Sequence, residues 1–184
     1  DVGKSGYVGA MVTDKRRKDF SNTAAGGDAS LWPTGSLNLT AFVARTQTTG
    51  EGGDGNAARL GAEYATDRVG ARAQWMRIEP GTDAQMGFIT RTDINRFGGD
   101  TRVSARPKVL GLRRVSLGAF ADYFESVSRG ERLDWLVGPF ARAEWNSGES
   151  VMAYAQWGRS FVDEEFDLAD RLRGYLLEVL PEHM

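Results

Sequence analysis

The sequence predicts an all-β protein: an antiparallel, up-and-down, transmembrane-type β-barrel, present as a partial barrel of about nine strands. Three observations predict this fold. Apolar and polar residues alternate along several segments, aromatic residues close the apolar rows, and long and short connections alternate along the chain. Alternation with a period of two is the pattern of a strand that has one apolar and one polar side.

The segment from Trp135 to Trp145 shows this pattern best. Every second residue is apolar, with an indole at each end, whereas the residues between them include Gly138, Arg142 and Glu144. Ten residue steps of about 3.3 Å, tilted by about 40°, rise roughly 25 Å, the height of the apolar band of an outer-membrane barrel. The two indoles would then lie at the two headgroup layers of the membrane.

The other strands follow from the same alternation and from the turn residues between them. The predicted strands are Lys4–Thr13, Asn22–Ser30, Leu37–Gln47, Ala57–Ala65, Arg68–Ile78, Asn95–Arg106, Arg114–Val127, Arg132–Trp145 and Ser150–Phe161. The predicted connections are long at 14–20, 48–56 and 79–93, and short at 31–35, 66–67 and 146–149. Such alternation is typical of an up-and-down barrel.

A single domain accounts for the whole chain. Residues 1–162 are predicted to supply the barrel strands and loops. Residues 163–184 carry apolar residues at helical spacing and are predicted to form a helical or irregular tail of the same domain.

Composition limits the possible functions. The 184 residues carry a net charge of −2, which argues against a nucleic-acid partner, because such proteins normally need a basic surface. The chain has no cysteine, so disulfides and thiolate metal sites are excluded. Its single histidine, His183, lies one residue from the end, which disfavours a catalytic triad or a histidine-rich metal site. We therefore predict no catalytic residue, no metal site and no cofactor in this segment.

Residues on the polar side of the predicted strands are the candidate ligand residues. If the apolar rows face lipid, the residues between them face the barrel interior and could contact a polar solute. These candidates are Arg59, Glu63, Arg72, Gln74, Arg142 and Glu144. Three residues of the long connection 79–93 are predicted to constrict the interior, namely Phe88, Arg91 and Asp93. The alternative interpretation gives these charges only a solvation role, and the sequence does not separate the two.

Several segments resemble a known family of barrel domains. They are Gly6–Thr13, Ser21–Asp28, Leu37–Thr46, Met86–Ile94 and Glu164–Leu168, and the fourth contains a Gly-Phe-x-x-Arg-x-Asp box. Together they resemble the C-terminal barrel domain known as domain of unknown function 5916. The chain departs from that pattern at 80–85, where the family tends to an aromatic-Asn-Pro sequence, and this weakens the case for a ligand on that loop.

The resemblance implies a location in the bacterial outer membrane, with outer-membrane lipid as a partner and a saccharide as a candidate ligand. Relatives of this type carry, before the barrel, a periplasmic module similar to carbohydrate-binding family 9. The resemblance therefore implies that this module lies outside the sequence. Because bacterial single-chain barrels have even strand numbers, the nine predicted strands imply that at least one further strand lies outside it too. The resemblance transfers no catalytic residue.

Three classes of function stay open at this point. The first is an outer-membrane barrel that passes or captures a small polar solute such as a saccharide. The second is a soluble lipocalin-like barrel or β-sandwich that carries an apolar ligand. In that case the apolar rows would face inward and the charged rows outward. The third is a part of a carbohydrate-active hydrolase whose active module is absent here. Because aromatic residues close the apolar rows at strand ends, we favour the first.

Overall fold

A single antiparallel sheet makes up the described part of the protein. The computed structural model describes residues 6–50, 53–84 and 91–160. Its strands are β1 (Gly6–Arg17), β2 (Phe20–Thr34), β3 (Leu37–Thr49), β4 (Gly55–Ala65), β5 (Val69–Ile78), β6 (Ile94–Ala105), β7 (Leu112–Glu125), β8 (Arg132–Trp145), β9 (Ser150–Tyr154) and β10 (Trp157–Arg159). Each strand from β1 to β8 pairs with the next along the chain, and both β9 and β10 pair with β8.

The predicted all-β, antiparallel, up-and-down architecture is confirmed. β1 pairs only with β2, and the β9–β10 edge pairs only with β8, so the two edges do not meet among the described residues. The sheet is therefore not closed, as expected for a partial barrel. No helix long and apolar enough to cross a membrane is found among the described residues. The predicted tail, 163–184, lies outside them.

β9 and β10 are two parts of one strand. Ser150 pairs with Glu144 and Arg159 pairs with Trp135 in one continuous register. The break falls where Ala155 donates its N–H to the carbonyl of Pro139 at 3.2 Å. Proline has no N–H to donate in return, so the ladder loses one hydrogen bond at this point. Counted by register, the sheet has nine strands, which is the predicted number.

The first hairpin is longer than predicted. The connection expected at 14–20 is a two-residue turn, because β1 and β2 both extend into it. Polar residues continue the pairing here, and the Thr23 hydroxyl donates a hydrogen bond to Asp14 at 2.9 Å. The alternation pattern missed this part because neither side of the hairpin is apolar, whereas backbone pairing requires no apolar side chain.

The two ends of the sheet carry different connections. One end, the short-loop end, has the connections 35–36, 66–68, 106–111 and 146–149. The opposite end, the long-loop end, has 18–19, 50–54, 79–93 and 126–131. The longest connection, Glu79–Asp93, lies between β5 and β6 at the long-loop end, where the sequence predicted a long loop.

Strand pairing assigns each residue to one of two faces, because directly opposed residues point to the same side. The apolar face includes the row Leu39, Ala62, Ala73, Gly99, Ala121 and Val137 and the row Ala41, Leu60, Trp75, Phe97, Tyr123 and Trp135. The polar face includes the row Asn38, Glu63, Arg72, Asp100, Phe120 and Gly138 and the row Asp28, Phe42, Arg59, Met76, Arg96, Phe124 and Asp134.

Few large apolar side chains of the described sheet are buried. Leu60 on the apolar face is 53 % exposed, and the buried hydrophobic residues among those described are only Ile94 and Leu133. Asn22 and Thr46 on the polar face are each 1 % exposed. A soluble domain places most of its large apolar side chains inside, so the sheet alone does not form such a core.

Candidate functional site

All six residues predicted from the alternation lie on the polar face: Arg59, Glu63, Arg72, Gln74, Arg142 and Glu144. Glu63 and Arg72 are directly opposed on β4 and β5, and Arg72 Nε lies 3.7 Å from Asp100 Oδ1. On β8, Arg142 Nε lies 3.1 Å from Glu144 Oε1. The structure thus brings all six to one surface, where Arg72, Arg142 and Glu144 take part in ion pairs. Their role in binding a ligand stays a prediction.

A bidentate ion pair lies next to these residues. Arg96 Nε and Nη2 donate hydrogen bonds of 2.6 and 2.8 Å to the two oxygens of Asp122. The Arg96 guanidinium carbon also lies 5.1 Å from the centre of the Phe124 ring. Asp122 fits here because its neighbour Gly98 has no Cβ, which would collide with the carboxylate. Bidentate pairing fixes the geometry of Arg96 as well as its charge.

The sequence contained a signal for this pair that the prediction did not use. Along β6, Arg96, Gly98, Asp100 and Arg102 alternate with apolar or small residues, so charges recur at every second or fourth position. The same period of two had identified the residues of β4, β5 and β8.

The first part of the longest connection folds onto the polar face. Asn22 Nδ2 donates to the Asp83 carbonyl at 2.7 Å, and the Asp83 N–H donates to Thr46 Oγ1 at 3.1 Å. Thr82 is 5 % exposed, and its hydroxyl donates to the Asn56 carbonyl at 3.0 Å. Because Asn22 and Thr46 are buried, these hydrogen bonds are shielded from water, and they hold the connection against β2, β3 and β4.

The last part of the same connection is held near β7 and β8. Arg91 Nη1 donates a hydrogen bond of 2.7 Å to Asp134 Oδ2, on the polar face of β8. Asp93 accepts hydrogen bonds from the Ser126 hydroxyl at 2.7 Å and from the Ser128 N–H at 2.7 Å. The two anchored parts of the connection therefore lie over opposite sides of the polar face.

Two of the three candidate loop residues, Arg91 and Asp93, are anchors of the connection, and Phe88 lies outside the described residues. Asp93 has a φ of 57°, in the left-handed region that Asp tolerates better than most residues. Partial burial favours its neutral form, but the hydrogen bonds from Ser126 and Ser128 outweigh burial, so the pKa of Asp93 lies below its ordinary value. The ionised form of Asp93 is thus the form that holds the two loops together.

Two adjoining recesses open on the polar face near the first part of the connection. One has a volume of about 510 Å³ and a mainly apolar lining that includes Phe42 and Met76. The other, of about 460 Å³, shares these two residues and adds Arg59, and Asp28 lines both. An apolar surface with a few polar groups is the usual composition of a small-molecule site. The sequence prediction named only Arg59 among these residues, because the rest come together only through strand register.

Within the described parts of the chain, no three His, Asp or Glu side chains are grouped so that they could hold a metal ion.

No protein-family model matches the chain, and neither a curated protein nor a solved structure matches it. The resemblance to domain of unknown function 5916 therefore stays a prediction.

Proposed function

We propose that this chain forms part of the wall of a bacterial outer-membrane β-barrel that binds or passes a small polar solute along its polar face. In this proposal the apolar face contacts membrane lipid, and the polar face lines the interior. The connection Glu79–Asp93 narrows that interior from the long-loop end. The proposal assigns no catalytic step to the chain.

The observation that carries the proposal is the uncharged apolar face. Four consecutive cross-strand rows, from the row of Trp75 to the row of Val69, contain no charged residue between β2 and β8. Next to β5, the charges flanking this stretch are Asp67 and Arg77. Ten residue steps at about 3.3 Å and a tilt of about 40° correspond to roughly 25 Å, the height of the lipid-facing band of such barrels.

A face of this size is unfavourable in water. Val103 and Leu117 on adjacent strands are 59 % and 56 % exposed. Contiguous exposed apolar surface of this kind marks a partner or a membrane. Hydrocarbon solvates these side chains, and the strand ladder supplies the backbone hydrogen bonds that lipid cannot.

The soluble lipocalin-like alternative needs the opposite arrangement, with the apolar rows enclosed and the charged rows outside. The ion pair between Arg96 and Asp122 has side chains that are only 32 % and 30 % exposed. The polar face is thus partly enclosed around this pair, which supports the membrane proposal over the alternative. The third possibility, a part of a hydrolase, stays a prediction without an assigned catalytic residue.

Sided cysteine labelling tests the proposal, because this chain contributes no cysteine of its own and the unsubstituted full-length protein gives the background labelling. Asp19→Cys reports on the long-loop end and Ser147→Cys on the short-loop end. In intact bacteria that produce the full-length protein, a membrane-impermeant maleimide should label the first cysteine. It should label the second only after the outer membrane is permeabilised, because long loops of such barrels face outward and short turns face the periplasm.

Heat-modifiable gel mobility of the same variants provides the control for folding. Labelling of both cysteines in intact cells would contradict the proposal. Recovery of the full-length protein from the soluble fraction without detergent would contradict it as well.

A further inference from the structure

Aromatic rings are exposed in one part of the polar face. Phe42 on β3 is 41 % exposed, and it lies in one cross-strand row between Asp28 on β2 and Arg59 on β4. Tyr7 on β1 is 50 % exposed, and its side chain hydrogen-bonds to Asp28. An exposed ring flanked by opposite charges differs from the ion-paired groups on β5 to β8.

Arg59 differs from three other arginines of the polar face. Arg72, Arg96 and Arg142 each lie within ion-pair distance of a carboxylate. Among the described residues, the Arg59 guanidinium has no hydrogen bond or ion pair. Arg59 lines the recess of about 460 Å³ together with Phe42 and Asp28.

The charges around the ring limit the class of ligand. Asp28 and Arg59 are separated by one strand, so their backbones are about 9.6 Å apart at the usual spacing of strands. An organic anion would be attracted by Arg59 but repelled by Asp28. An organic cation would be attracted by Asp28 but repelled by Arg59. A neutral ligand with both donors and acceptors satisfies the two side chains together, because a carboxylate only accepts hydrogen bonds and a guanidinium only donates them.

We propose that the recess around Phe42 is a saccharide subsite, an inference that rests on the proposed function and specifies its solute. A pyranose ring has an apolar C–H face that can lie flat on the Phe42 ring. Its hydroxyl groups can donate to Asp28 and accept from Arg59. The hydroxyl of Thr40, which also lines the recess, adds a further donor and acceptor.

Titration calorimetry on the detergent-solubilised, full-length protein tests the subsite, with the neutral disaccharides maltose and sucrose as probes. We expect saturable binding of at least one of them. Phe42→Ala should weaken that binding about five- to tenfold, the range that corresponds to one aromatic contact. Phe42→Trp should restore it, because the indole keeps a flat apolar surface. Arg59→Gln and Asp28→Asn should each weaken it as well.

Phe140→Ala is the matched control. Phe140 is also a phenylalanine of the polar face, but it lies on β8 over Gly118, away from the recess. Its loss should leave disaccharide affinity unchanged, while heat-modifiable mobility shows that every variant is folded.

Two results would overturn the saccharide subsite. One is the absence of saturable disaccharide binding by the native protein, or an affinity that Phe42→Ala leaves unchanged. The other is tighter binding of benzoate than of either disaccharide, with a further gain in Asp28→Asn, which would indicate an anion site. If sided labelling succeeds while either result is obtained, the subsite fails and the proposed function stands. If sided labelling fails, the proposed function itself is rejected.

Discussion

The two faces of this sheet are built from the same strands, yet they have opposite relations to their surroundings. Ala73 and Gln74 are neighbours on β5, and they point to opposite sides. Ala73 is exposed and its cross-strand neighbours, Ala62 and Gly99, are uncharged, whereas the face of Gln74 carries ion pairs and contacts from the connection 79–93. Under the proposed function, the apolar face contacts lipid, whereas the polar face is held in place by hydrogen bonds and ion pairs.

The largest expected effect comes from placing a charge on the apolar face. In the full-length protein, Ala73→Arg should destabilise the membrane-inserted state by about 2–4 kcal/mol, because a cation near the middle of the bilayer loses its hydration. Gln74→Arg adds the same side chain one residue away, on the polar face, and should change stability far less. Urea unfolding in lipid bilayers measures both variants.

Equal destabilisation by the two arginines would mean that the faces do not differ in solvent. A larger loss from Gln74→Arg would reverse the assignment of inside and outside. Either result would contradict the assignment of the apolar face to lipid and of the polar face to the barrel interior.

A smaller effect is expected when the hydrogen bonds between the connection 79–93 and the polar face are removed. Asn22→Ala and Thr46→Ala each remove a buried hydrogen bond to Asp83, which is worth about 1 kcal/mol. The wall of the barrel should stay intact while the interior widens, so liposomes containing these variants should swell faster in a maltose solution. Thr23→Ala, which alters the opposite face of β2, is the matched control, and an equal gain in that variant would contradict the role of the connection.

The strands could be predicted from the sequence, whereas the anchors of the connection could not. Alternation with a period of two can be seen in consecutive residues, so the predicted ends of β3 to β8 lie within a few residues of the observed ends. The contact between Asn22 and Asp83 joins residues 61 positions apart, and that between Arg91 and Asp134 joins residues 43 positions apart. Such pairs are fixed by register and loop direction, which a single sequence does not reveal.

The candidate site was predictable in part for the same reason. Arg59, Glu63, Arg72 and Gln74 follow from alternation within β4 and β5. Phe42 was not predicted, because its position between two opposite charges depends on the alignment of three strands. The alignment of β2, β3 and β4 is set by their pairing register, which is fixed only when the whole sheet forms.

The smallest expected effect concerns Asp93. Its pKa lies below the ordinary value, so its hydrogen bonds contribute fully above that value and are lost as pH falls through the pKa of the folded state. The amide proton of Ser128, which donates to Asp93 at 2.7 Å, should therefore shift in NMR spectra below about pH 4. Asp93→Asn should abolish this titration, and persistence of the shift in that variant would assign it to another group.

The directions of the two edge strands have a consequence for how a barrel could close. β1 and the β9–β10 strand both run from the short-loop end to the long-loop end. A second copy in the same membrane orientation would bring these edges together in parallel, whereas neighbouring strands of such barrels are antiparallel. Under the proposed function, closure therefore needs an odd number of additional strands. The completed barrel would then begin and finish on the same side of the membrane.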